Sequence, residues 1–177
     1  MGRVLDCPTM TSRSRTARYV VVALVSLTML LSMCIGGGLG TGDAAPDFSV
    51  RDVDGITHDL ASYEGKVLVI DFFATWCVYC TDQLPTMEEV RAKYPEDKVA
   101  ILMVDNDDRE SREKVADYRV KYDITWPVAY GGGDMGQDYQ VEAIPTTVVI
   151  DGDGVVQYYH TGTVSASKLI KTIDELV

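Results

Sequence analysis

The chain has 177 residues, a hydrophobic content of 46% and a formal charge of −11. This composition excludes disordered and fibrous classes and leaves room for one domain with appendages. Four arginines against one aspartate give residues 1–18 a charge of +3, which leaves −14 for the remainder. So acidic a body excludes a nucleic-acid partner, because phosphates demand a basic face.

Residues 1–18 read as a basic tail. Residues 19–35 carry no charge and, at seventeen residues, lie at the short end of what spans a bilayer. The positive-inside rule keeps the arginines in the cytoplasm and sends the acidic body out, N-in and C-out. Membrane association through residues 19–35 is therefore expected, with three fates left open. The segment stays as an anchor, is removed as a signal, or is cut before Cys34 and lipidated there. Leu31-Ser32-Met33-Cys34 is similar to a lipobox, although Met33 stands where Gly, Ala or Ser is usual. Residues 36–43 are glycine-rich and read as a tether, which puts the domain at 44–177.

Within the domain, residues 48–50 and 56–58 flank Asp54-Gly55, a hairpin signal. Residues 67–73 are nearly all apolar, as a central strand covered on both faces requires. A helix follows from Cys77 to about Tyr94, with Pro85 expected to kink it. A second buried strand spans 99–104, and helices are expected at 111–122 and 134–139. Strands at 146–150 and 155–160 flank a Gly-rich turn, and an amphipathic helix closes the chain at 165–176. Residues 106–108 and 131–133 read as solvated, mobile loops. The order indicates an α/β domain with a mixed central β-sheet flanked by helices and extended by an N-terminal β-hairpin.

The cysteines do not form a disulfide framework. Cys7 lies in the tail and Cys34 ends the apolar run, so only Cys77 and Cys80 lie close together in the body. Cys77 stands where a strand gives way to a helix, so unpaired N–H groups and the helix dipole favour its thiolate. Cys80 lies one turn later and can close a disulfide. Cys77 is thus the candidate nucleophile and Cys80 the resolving thiol, with Trp76, Val78 and Tyr79 around them. The same spacing also serves half of a zinc site or a structural disulfide. A zinc site needs two further ligands, while His58 and His160 are single and far apart in sequence. Thr81 stands where haem attachment needs a histidine. No metal or cofactor is expected beyond the redox-active disulfide itself.

Several motifs occur together in order: Ala45-Pro46-Asp47-Phe48, Gly65-Lys66, Phe72-Phe73-Ala74-Thr75-Trp76-Cys77 through Cys80, and Ile144-Pro145-Thr146-Thr147. This set resembles the TlpA/ResA branch of the thioredoxin superfamily over residues 44–177. The resemblance implies a thioredoxin-like fold and a thiol–disulfide oxidoreductase. It implies a cis Pro145 facing the dithiol, with the Ile144 backbone offered to a bound peptide. Partners would be exported protein thiols and disulfides, with apocytochrome c among the substrates and a membrane electron donor behind them. Asp71, six residues before Cys77, matches the buried carboxylate that moves the resolving cysteine's proton. Burial should raise its pKa and suit it to that task. Gln83 replaces the glutamate of many ResA-type proteins; it keeps the hydrogen-bonding shape near the substrate and loses the charge.

Two other readings share these residues. A peroxiredoxin-like peroxidase has a similar opening, but Ala74 and Ile70 occupy the places of its required hydroxyl residue and proline. A non-enzymatic copper-delivery module would use the cysteine pair as soft ligands.

Overall fold

The computed structural model describes residues 38–177. The basic tail, the apolar segment 19–35 with Cys34, and Gly36 and Gly37 lie outside the described residues.

The described residues form seven strands: β1 (Ser49–Asp52), β2 (Thr57–Asp59), β3 (Val67–Phe73), β4 (Val99–Asp105), β5 (Val128–Tyr130), β6 (Thr146–Ile150) and β7 (Val156–Thr161). Helices α1 (Val78–Lys93), α2 (Arg112–Lys121), α3 (Gly133–Asp138) and α4 (Ala166–Asp174) lie between or after them. The strands make one mixed sheet in the order β2-β1-β5-β4-β3-β6-β7. β3, β4 and β5 run parallel, and the remaining pairs are antiparallel.

β3 is buried at every position, and its alternation feeds two cores. Val67, Val69 and Phe73 join Leu84, Met87 and Val90 of α1 and Leu169 and Ile173 of α4. Leu68, Ile70 and Phe72 join Phe48, Tyr63, Met135 and Tyr139 on the opposite face. Burial of a side chain such as Met87 contributes about 1.5–3 kcal/mol. By the same alternation Asp71 points to the α1 face, which places a carboxyl group beneath the helix that carries the cysteines.

Local signals set the element ends. Ser111 and Ser165 cap α2 and α4 by accepting the N–H groups of Lys114 and Lys168. In the hairpin, Asp52 accepts the N–H groups of Asp54 and Ile56 and meets His58 Nε2 at 3.0 Å. Gly55 supplies the positive φ of the turn.

Two features differ from the sequence reading. β5 was not expected, because three residues beside a proline carry no usable period. Residues 38–43, read as a tether, are paired with the domain. Gly42 N–H donates to Val156 C=O at 2.7 Å, and Val156 N–H donates to Asp43 C=O at 2.9 Å. Leu39 packs on the second core, and its N–H reaches Gln140 Oε1 at 3.0 Å. The sheet edge supplies partners that a glycine-rich segment lacks by itself.

Candidate active site

β3 ends at Phe73, three residues turn, and Cys77 becomes the N-cap of α1. Cys77 Sγ accepts the Cys80 N–H at 3.1 Å and is bonded to Cys80 Sγ at 2.13 Å, with the two Cα atoms 5.3 Å apart. Cys77 is 6% exposed and Cys80 is sealed. Cys77 lines a surface groove and Cys80 does not, so a substrate meets Cys77 first. Once the disulfide opens, the same N–H and the helix dipole face a Cys77 thiolate.

The surroundings are apolar and open. Trp76, Val78 and Tyr79 are 59%, 71% and 69% exposed, an arrangement that water disfavours unless a partner covers it. They border a groove of about 630 Å³ whose other wall includes Arg109, Glu142 and Ile144. The Ile144–Pro145 peptide is cis. Pro145 C=O is taken by Gly162 N–H, whereas the Ile144 N–H and C=O make no hydrogen bond among the described residues. Those two groups can pair with an extended peptide laid in the groove.

Gln83 does not belong to that wall. It is 1% exposed, and both ends of its amide serve Val164: Oε1 accepts the Val164 N–H at 2.8 Å and Nε2 donates to the C=O at 3.3 Å. Its neutral amide ties α1 to the segment before α4, and no surface is left for substrate.

Asp71 is fully buried. Thr147 Oγ1 donates to its Oδ1 at 3.4 Å, while Oδ2 has no partner. Burial pushes its pKa up to about 8, with the Thr147 hydroxyl a smaller opposing influence. A neutral acid at pH 7 that ionises just above is suited to exchanging a proton with a buried thiol.

The segment after β4 is a partly exposed loop, as expected, but it is also pinned to the turn before Cys77. Asn106 N–H donates to Phe73 C=O at 2.8 Å. Asp107 accepts two bonds from the Arg109 guanidinium, one from the Arg109 N–H and one from the Trp76 indole N–H at 2.9 Å, so its carboxyl lies well below the ordinary range. Glu110 accepts the Thr75 N–H at 2.7 Å and the Thr75 hydroxyl at 2.5 Å, and pairs with Lys114. Burial opposes the Glu110 carboxylate, but Lys114 and both Thr75 donors outweigh it and keep its pKa low. Beside it, burial first and the charges of Glu110 and Asp107 after it raise the pKa of Asp105 to about 7.

Glycines also make this packing feasible. Gly132 N–H donates to Asp105 C=O, and a Cβ on Gly132 would stand 2.2 Å from Val104 Cγ1 and 2.9 Å from the Asp105 carbonyl oxygen. Gly132→Ala should therefore cost about 1–3 kcal/mol of stability. Urea denaturation measures this, and an unchanged midpoint would mean that the loop can retreat. Among the described residues, no group of three or more His, Cys, Asp or Glu side chains is placed to hold a metal ion.

The AhpC/TSA family profile matches residues 41–159. The chain belongs to the AhpC/TSA family. Thioredoxin-like protein YneN of Bacillus subtilis is 34% identical over 138 residues, 77% of this chain and 81% of that protein. Thiol-disulfide oxidoreductase ResA of Bacillus thuringiensis is 37% identical over 116 residues, 65% of this chain and 66% of that one. A structure assigned to the thiol:disulfide interchange protein DsbE of Chlorobium tepidum superposes with a TM-score of 0.71 at 29% identity, covering 78% of this chain and 99% of that one. The pneumococcal exposed lipoprotein thioredoxin of Streptococcus pneumoniae superposes at 0.62 with 29% identity, covering 74% and 100%. This AhpC/TSA chain is a thiol–disulfide oxidoreductase of the thioredoxin-like type.

Sequence reading missed the roles of Asp105, Asp107 and Glu110 in this AhpC/TSA site. One signal was present, an aspartate directly after a fully apolar strand, but the partners lie about thirty residues away in the sequence.

Proposed function

We propose that the domain works outside the cytoplasm, held at the membrane by residues 19–35, and reduces disulfides of exported proteins. The observation that carries this reading is the asymmetry of the pair. Cys77 sits at a helix N-terminus beside an apolar groove and a cis proline, and Cys80 is closed off behind it.

The Cys77 thiolate attacks a substrate disulfide, forms a mixed disulfide and expels one substrate thiolate. Cys80 gives its proton to Asp71 in its ionised form and attacks the Cys77 sulfur, and the second substrate sulfur takes that proton and leaves as a thiol. Two electrons have passed to the substrate and the Cys77–Cys80 disulfide is restored. A dithiol donor in the membrane reopens it. The uncharged segment 19–35, and the likeness to a thioredoxin described as an exposed lipoprotein, support the location. Apocytochrome c is one substrate of suitable chemistry, although the neutral Gln83 weakens the transfer of that duty from ResA-type proteins.

The test is the reduction potential of the full chain in detergent, equilibrated in graded thiol buffers. A value near about −270 mV is expected of a reductant. A value near about −120 mV would make it an oxidant, and the absence of a reversible couple would remove the dithiol mechanism. For the location, protease added to intact cells should digest the domain; protection until lysis would place it inside.

A further inference from the structure

Only three residues separate the end of β3 from Cys77, and the turn they form has one internal bond, from Cys77 N–H to Ala74 C=O at 3.0 Å. Thr75 stands in the middle of that turn, and its N–H is satisfied from 35 residues further along the chain. We propose that Glu110 is a positioning residue for the Cys77–Cys80 dithiol, holding Thr75 so that Cys77 stays at the head of α1. The proposal rests on the reading of that dithiol as the reacting centre.

Glu110 is itself fixed. It is 7% exposed, its N–H donates to Asp107 C=O at 2.8 Å, and it directly precedes Ser111, the cap of α2. Its carboxylate receives both Thr75 donors and Lys114, which leaves it no freedom to swing away. Bonds to an ionised acceptor are the strong kind, and removing this one leaves a Thr75 N–H without an acceptor. Neighbouring bonds act on the same turn. Asn106 grips Phe73 and Asp107 grips Trp76, so one loop holds the residues on both sides of Thr75. Glu110 is the member that reaches the backbone nearest to Cys77. A shift of about 1 Å in a reacting group costs as much as about a hundredfold in rate.

The full chain in detergent is compared with Glu110→Ala, Glu110→Gln and Thr75→Val. Three quantities are read: the equilibrium with glutathione, the pH midpoint of Cys77 alkylation by iodoacetamide, and the melting temperature. Glu110→Ala should move the glutathione equilibrium about tenfold, about 30 mV for this two-electron couple, and displace the alkylation midpoint. Glu110→Gln keeps an acceptor for Thr75 and should restore most of both. A Glu110→Ala protein with a lowered melting temperature but an unchanged equilibrium and pH profile would reduce Glu110 to a structural residue. If that variant does not fold, Thr75→Val decides, because it keeps the volume and removes one of the two bonds. It should displace the midpoint in the same direction by a smaller amount, and an unchanged midpoint overturns the proposal. Loss of the couple in the unaltered chain would instead remove the dithiol reading on which the proposal stands.

Discussion

Replacing Cys80 with alanine will leave the protein joined to its substrate through Cys77. The exposed groove remains with Cys77 in its lining, so the first exchange proceeds. The second cannot, because no other cysteine of the described domain is present to attack the mixed disulfide. Turnover of a model protein disulfide should stop after about one equivalent, and the adduct should disappear on addition of a small thiol. Non-reducing electrophoresis followed by mass spectrometry reads the result. The reciprocal Cys77→Ala should form no adduct, since Cys80 has no exposed surface. Adducts on Cys80 in that variant, or none on Cys77 in the first, would reverse or remove the assigned order of attack.

Asp71→Asn is expected to change both stability and rate, in directions that burial dictates. The folded carboxyl has its pKa raised to about 8, against about 3.9 in an unfolded chain. Below both values each state is protonated, and above both each is ionised. Between them the folded state binds a proton that the unfolded state has released, so stability is highest at the acid end and declines as pH rises towards 8. The decline amounts to several kcal/mol at about 1.4 kcal/mol per pH unit. Asparagine has nothing to titrate, so the variant should lack this decline. It should exceed the unaltered protein at pH 9 by a few kcal/mol and approach it near pH 4. Resolution by Cys80 should slow near neutral pH by about a hundredfold, the low end of what a positioned acid–base group contributes. Urea titrations at pH 5, 7 and 9 and rapid-mixing kinetics check the two halves separately. Parallel stability curves would mean that Asp71 ionises as freely in the folded protein as outside it.

The two central strands were legible because coverage on both faces leaves no polar residue to confuse the period, and the exception in β3, Asp71, stood out for that reason. The start of α1 was legible because the apolar strand, a short turn and the cysteine pair follow within a few residues. The helices at 112–121 and 166–174 were legible from their apolar spacing. Gln83 was not. A glutamine near the cysteines looks the same whether it meets a substrate or, as here, the backbone of a residue 81 positions away. The loop of Asn106, Asp107 and Asp108 was only partly legible for a related cause. Its composition is that of a solvated loop, but Asn106 and Asp108 pack on Gly136 and Gly133, and Asn106 and Asp107 hold the turn before Cys77. Local chemistry sets strands and caps, whereas the roles of polar side chains are decided by which distant segment the fold brings against them.

β7 is the last strand on its side of the sheet, and only its first part is paired outward, through Gly42, Asp43 and the bridge between Ala44 and Val155. A recombinant version trimmed to begin at residue 44 would lose two of those bonds together with Leu39. The stripped border would present free backbone donors and acceptors to the same border of another copy, which is how sheet proteins come to associate and precipitate. Residues 38–43 therefore act as a selvedge that keeps the fabric of the sheet from joining its neighbour, and an excised domain should begin no later than Gly38.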